Sequence, residues 1–148
     1  MAELPGAVLF SCTHNSIRSP MAESILKHLH GHQIYVDSCG VREGEIDGFV
    51  IAVMDEIGID VSRHKAKTFD DLEDYSYDLI ISLSPEAQHK AVDMTHYIDC
   101  DVEFWNTFDP SVLPSEDREA LLGAYRQVRD QLMTRIKDRF PTAGAIDT

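Results

Sequence analysis

The residues best equipped for chemistry lie between Cys12 and Ser19. A cysteine opens a polar stretch at Cys12, an arginine closes it at Arg18, and Ser19 follows. Thiolate is the reactive form of cysteine, and it forms where positive potential surrounds the sulfur. Arg18 supplies such potential, together with a planar fork of donors that matches two oxygens of a tetrahedral oxyanion. The intervening Thr13, His14, Asn15, Ser16 and Ile17 contribute backbone amides that can point inward, and Ser19 can donate a hydrogen bond to the sulfur. These residue types at this spacing point to attack by Cys12 on a tetrahedral oxyanion held by Arg18 and the loop amides.

The elements on either side position such a loop. The apolar run from Ala7 to Phe10 predicts a buried strand. Ser19-Pro20 predicts a helix start, with serine as N-cap and proline at the first helical position. Strand, loop and helix N-terminus in that order make an anion site, because the helix dipole adds about half a positive charge at its start.

Composition bounds the rest. At 148 residues the chain suits a single domain over 1–148. No apolar run is long enough to span a bilayer, and Met1 to Pro5 lacks the features of a signal peptide. Three scattered cysteines do not form a disulfide framework, which points to a reducing, cytoplasmic location. A formal net charge of −13 argues against nucleic acid or an anionic membrane as partner. Positive potential for an anion must therefore be concentrated locally.

The first helix is expected from Pro20 to about His30, with Met21, Ile25, Leu26 and Leu29 on its apolar face and Gly31 as its stop. His28, His30 and His32 alternate around that stop. Cations at a helix C-terminus account for them more simply than a metal site does. Gln33 to Cys39 forms a second strand and completes a right-handed βαβ unit. A glycine-containing charged loop, Val41 to Asp47, leads to a helix over Gly48–Ile57. Asp70 to Asp78 connects to a third strand over Tyr77–Leu83. Ser84-Pro85 starts a helix that ends near Met94, and Val102–Trp105 is a short fourth strand. Asp109-Pro110 follows. Strand C-termini in open α/β sheets converge on one edge, so a carboxylic acid there can reach the mouth of the Cys12 loop. Ser115 is the expected N-cap of the last helix, with Glu116 and Asp117 in its first turn. Leu121, Leu122, Tyr125, Val128, Leu132, Ile136 and Phe140 trace its buried face.

The stretch Cys-Thr-His-Asn-Ser-Ile-Arg-Ser-Pro-Met-Ala-Glu resembles the phosphate-binding loop of the low-molecular-weight protein tyrosine phosphatases and of the related thioredoxin-coupled arsenate reductases. The likeness is close over Val8–Glu23 and continues in register along most of the chain. It implies an α/β fold with a four-stranded parallel sheet and helices on both faces. It also implies a phosphomonoester hydrolase that forms a cysteinyl phosphate and needs no metal or cofactor. Its substrate would be a phosphorylated protein or a small phosphomonoester, with inorganic phosphate as product. Asp109 would be the general acid. Ser38 would hydrogen-bond Asn15 and His64 would support the loop from behind; simple capping by Ser38 and a structural His64 are the plainer alternatives.

The chain also departs from that family. Ile17 stands where many of the phosphatases have a second cysteine, and His14 where glycine is common. Ser111 replaces an aromatic wall residue, and the Val41–Asp47 loop is short. Phe49, Phe108 or Trp105 could supply a wall instead, although core packing is the expected role of each. An arsenate reductase needs further cysteines just after the third strand, where this chain has Ser82 and Ser84. Cys39 ends a strand beside that of Cys12 and stands as a candidate redox partner. A phosphate-sensing or partner-binding module without turnover is a third reading, although such a module has no need of Asp109.

Overall fold

The computed structural model describes residues 4–73 and 76–141. Strand β1 (Ala7–Cys12) is central, and Val8, Leu9 and Phe10 are fully buried. Burial on both faces is what a near-continuous apolar run requires in a parallel sheet. β2 (Tyr35–Gly40), β3 (Leu79–Ser82) and β4 (Asp101–Phe104) complete a four-stranded sheet of order β2-β1-β3-β4. Every pairing in it is parallel. The fold class expected from the sequence is the one observed, with strand ends shifted by a few residues.

Helices cover both faces. α1 (Arg18–His30), α2 (Gly48–Asp55) and α4 (Arg118–Arg139) pack on one side, where Phe10, Met21, Ile25, Val53, Leu132 and Phe140 belong to one core cluster. α3 (Pro85–Met94) lies on the other, over a smaller cluster that includes Leu9, Cys39, Ile80 and Ala91. The buried face of α4 runs through Leu122, Tyr125, Val128, Leu132 and Ile136. Leu121 is only partly buried. Two short 3₁₀ turns, Phe69–Asp71 and Pro110–Val112, lie in the connections.

Two expected helix starts move. α1 begins at Arg18, one residue before the expected Ser19 cap, and its N-cap residue Ile17 makes no side-chain cap bond. Ser19 is inside the first turn because its hydroxyl is engaged by the loop. α4 is capped by Asp117, whose side chain accepts from the Glu119 amide at 3.1 Å, and not by Ser115. Ser115 Oγ instead accepts from the Asp117 amide at 3.1 Å. α2 ends at Asp55, two residues short of the expectation. Of the alternating histidines, His30 is buried and its Nε2 lies 2.6 Å from the Phe140 carbonyl oxygen, tying the end of α1 to the end of α4. His28 and His32 are exposed. Among the described residues, no helix is long and apolar enough to cross a membrane.

An ionic clasp joins α2 to α4. Glu56, just past α2, meets Arg126 at 2.8 Å and Arg129 at 2.7 Å. These two guanidiniums, through side-chain hydrogen bonds first, hold the Glu56 carboxyl at about 2 against an ordinary 4.5. A carboxyl depressed in the folded state stabilises fully above its ordinary value and loses that contribution as pH falls through the folded one. Glu56→Gln is therefore expected to lower the thermal midpoint at neutral pH. In midpoints measured across pH, the gap from wild type should shrink from pH 4.5 down to about pH 2.

Candidate active site

The loop between β1 and α1 is shaped by outside donors that pull its carbonyls away from its centre. The amides of Val41, Arg42 and Asp47 donate to the carbonyls of Cys12, Thr13 and Ser16 at 3.1, 2.8 and 3.1 Å. His64 Nε2 lies 3.2 Å from the Asn15 carbonyl oxygen. No peptide bond in the described chain is cis. In a trans peptide the carbonyl and the following N–H point in opposite directions. The amides of Thr13, His14, Ser16 and Ile17 thus face the other way, into the loop. Four inward N–H groups before a helix N-terminus make a cradle for an anion.

Asn15 is the pivot of this loop. Its φ is 56°, the one positive value for a non-glycine among the described residues. Asparagine is among the few L residues that tolerate this region. Its side chain uses both ends. Nδ2 donates to Ser19 Oγ at 2.8 Å and to Ser38 Oγ at 2.9 Å. Oδ1 accepts from the Lys67 amide at 3.0 Å and lies 3.0 Å from His64 Nε2. Both groups facing His64 Nε2 are oxygen acceptors, so that nitrogen carries the proton. Burial first, with Lys67 and Lys27 adding to it against the pull of Glu23, holds His64 below its ordinary value and favours the neutral ring. Ser38 donates its own hydrogen bond to the Glu23 carboxylate. Ser38 and His64 thus both touch Asn15.

These bonds also orient Ser19. Its oxygen accepts from Asn15 Nδ2, which leaves its one proton to donate. Cys12 Sγ is 2.9 Å away and the Cys39 carbonyl oxygen 3.4 Å away. When Cys12 is a thiolate its sulfur can only accept, and the Ser19 hydroxyl then donates to it. Gly40 closes the loop from the β2 side. A Cβ there would lie 2.7 Å from the Asn15 nitrogen and 2.8 Å from the His14 carbonyl carbon, so only glycine lets the strand end come this near.

Arg18 is buried, and carbonyls hold it from behind. Nη1 donates to Thr107 O at 3.0 Å and to Leu83 O at 3.5 Å, and Nη2 donates to Thr13 Oγ1 at 3.4 Å. Asp109 Oδ2 stands 3.9 Å from Nη2. The other oxygen of Asp109 accepts from the amide and hydroxyl of Ser111 at 3.0 and 2.7 Å, which leaves Oδ2 turned toward the loop. The structure thus gathers Cys12, Arg18, Ser19 and Asp109 at the C-terminal edge of the sheet. Such an array can bind a tetrahedral oxyanion, present a sulfur to it and exchange a proton with it.

Ser111, Glu23 and the carbonyls of Leu83 and Thr107 were missed by the sequence reading. Ser111 was legible, because Asp-Pro-Ser is an Asx-turn signature. Among the aromatics, Trp105 is buried edge-on against Phe10, with centroids 6.2 Å apart, and Phe49 packs on Tyr125 at 5.2 Å. Phe108 is not a core residue: it is 53% exposed, immediately before Asp109.

A family model for the low molecular weight phosphotyrosine protein phosphatases matches residues 7–141. The chain belongs to that family. An arsenate reductase of Bacillus licheniformis is 31% identical to it over 93% of this chain and 96% of that protein. A glutaredoxin arsenate reductase of Synechocystis sp. is 40% identical over 51% of this chain, and the match spans only 58% of that relative's length. The solved low molecular weight protein tyrosine phosphatase from T. tengcongensis is similar at a TM-score of 0.71 and 28% identity, over 89% of this chain and 95% of that one. Both activities therefore occur among the names of the family members this chain resembles.

The placement of the other two cysteines bears on that choice. All three are free thiols. Cys39 pairs in register with Ser11, and Cys12 with Gly40. Side chains alternate across a strand. Cys12 accordingly belongs to the core under α1, and Cys39 to the opposite one under α3. Burial pushes the Cys39 thiol well up, which suppresses its thiolate. Cys100 precedes β4 at the other edge of the sheet, and burial, with Asp101 and Asp99, raises it as well.

Asn15→Ala is expected to lose about 2 kcal/mol or more in denaturant unfolding, from left-handed strain and unpaired buried partners. Asn15→Gly, which accepts the backbone angle, should lose less.

Proposed function

We propose that the protein is a phosphomonoester hydrolase of the protein tyrosine phosphatase type, acting through a cysteinyl phosphate. The observation that carries this reading is the meeting of Cys12, Ser19, Arg18 and Asp109 at one loop, with Cys39 on the far side of the sheet from Cys12. The Cys12 sulfur attacks phosphorus, with Ser19 donating to it. The S–P bond forms as the bond from phosphorus to the ester oxygen breaks. Asp109 gives its proton to that leaving oxygen. Arg18 and the inward amides hold the equatorial oxygens, which is most of what phosphoryl transfer asks of a protein. Asp109, now a carboxylate, takes a proton from water. The water oxygen attacks phosphorus, the S–P bond breaks, and the thiolate and inorganic phosphate result. The proposed cycle uses no metal or cofactor.

Exposed Phe108 beside Asp109 offers a partial wall for a phosphotyrosine ring. Ser111, at the next wall position, leaves room for other phosphoesters. A phosphorylated protein or a small phosphomonoester is the substrate, and free thiols suit a reducing compartment such as the cytoplasm.

Arsenate reductase is the second reading, favoured by the names of the curated relatives. It needs a second thiol to take a disulfide from Cys12. Ser84 caps α3 where that group places a cysteine, and neither Cys39 nor Cys100 is placed for the task.

Assays with an aryl phosphate and with arsenate plus thioredoxin separate the two. Wild type should hydrolyse the ester, Cys12→Ser should be inactive, and Asp109→Asn should be slower by about 10²–10⁴-fold. Catalytic arsenate reduction that is lost in Cys39→Ser or Cys100→Ser would transfer the protein to the reductases. Phosphate binding without turnover would make it a binding module.

A further inference from the structure

We propose that Ser84, the N-cap residue of α3, is a positioning residue for Arg18 and acts through the hydroxyl of Thr13. In its catalytic consequence this rests on the phosphatase reading. In its binding consequence it does not.

The two nitrogens of the Arg18 fork are held differently. Nη1 is fixed by two backbone carbonyls, those of Thr107 and Leu83. Among the described residues Nη2 has Thr13 Oγ1 at 3.4 Å and the Asp109 carboxylate at 3.9 Å. Asp109 gives up and regains a proton in the proposed cycle, so its charge is not constant. Thr13 is the neutral anchor that does not change during turnover.

A threonine hydroxyl is a rotor with one proton. To accept from the guanidinium it must send that proton elsewhere. It sends it to Ser84 Oγ, 3.1 Å away. Ser84 is 2% exposed, so no water competes. Ser84 Oγ also accepts from the Ala87 amide at 3.2 Å, the cap bond of α3. With both lone pairs engaged, this oxygen is fixed to the helix start, and Pro85 at the first position stiffens it. The chain of donors therefore runs from Arg18 Nη2 to Thr13 Oγ1 and from Thr13 to Ser84, which the Ala87 amide anchors. Strand register brings the pair together: Ser11 lies opposite Ser82, and two residues on, the same face carries Thr13 and Ser84.

Without the Ser84 hydroxyl the Thr13 proton loses its acceptor. The rotor is then free to turn that proton toward the cationic fork, and Nη2 loses its neutral anchor. The second oxyanion contact of Arg18 loosens as a result. A simple capping role predicts something different, because glycine replaces serine at an N-cap at a cost of only a few tenths of a kcal/mol. Ser84→Gly thus removes the hydroxyl at little cost to the helix start.

The test measures inorganic phosphate affinity by calorimetry, kcat and KM on an aryl phosphate, and the thermal midpoint. Ser84→Gly should weaken phosphate binding and kcat/KM by about tenfold, the scale of one hydrogen bond to a charged group, with little change in midpoint. Thr13→Val should lose as much, and the double variant no more than either alone. Ser84→Thr should recover most of the loss. Wild-type values in Ser84→Gly, or losses that multiply in the double variant, would overturn the proposal. If Ser84→Gly fails to fold, Thr13→Val and Ser84→Thr decide it: Thr13→Val at wild-type affinity overturns it. A wild type that binds phosphate without hydrolysing it sinks the phosphatase reading, while the affinity series still judges Ser84. A wild type that does neither sinks both.

Discussion

One left-handed residue holds the site together. A loop that grips an anion with its amides must turn its carbonyls outward, and a chain of L residues does so only with a break in its backbone angles. Asn15 is that break, at φ 56°. The conformation costs roughly 1–2 kcal/mol for an L residue, and the hydrogen bonds around the side chain offset it. Those bonds reach α1 through Ser19, β2 through Ser38, and the segment after α2 through His64 and Lys67. The loop is therefore set by tertiary contacts before any ligand arrives, which is the form of preorganisation that electrostatic catalysis needs.

Parallel topology explains why distant residues converge. With every strand running the same way, the segments that leave β1, β3 and β4 start from one edge of the sheet. Arg18 follows β1, Leu83 and Ser84 follow β3, and Thr107 and Asp109 follow β4. In a chain of net charge −13, a buried guanidinium and the loop amides supply positive potential at the site itself. The acid that faces Arg18 there, Asp109, is held on one oxygen by Ser111 and left open on the other.

Much of this was legible in the sequence. Val8 to Phe10 has no polar residue, so a doubly buried strand was the natural expectation, and Ser84-Pro85 marked a helix start that the structure keeps. What escaped the sequence has physical causes. Ser19 carried the marks of a cap, but its oxygen accepts from the Asn15 side chain inside the loop and the helix starts one residue earlier. At the start of α4 both Ser115 and Asp117 could cap, and in the fold Ser115 accepts from the Asp117 amide while Asp117 caps the helix. Carbonyl oxygens leave no signature, so the backs of Leu83 and Thr107 could not be seen to hold Arg18. Phe108 looked like a core residue because its type is apolar, yet it is exposed between the buried Thr107 and the site acid Asp109. Cys39 looked like a neighbour of Cys12 because their strands are adjacent. Pleating puts the two side chains on opposite faces.

In the proposed cycle the Cys12 sulfur bonds covalently to phosphorus during turnover. Rapid acid quench of the Asp109→Asn variant on an aryl phosphate, followed by mass analysis of the peptide carrying Cys12, tests it most directly. The account predicts one phosphoryl group on that peptide, located at Cys12 and discharged as the substrate is exhausted. Continued ester hydrolysis with the Cys12 peptide unmodified at every time point would contradict it.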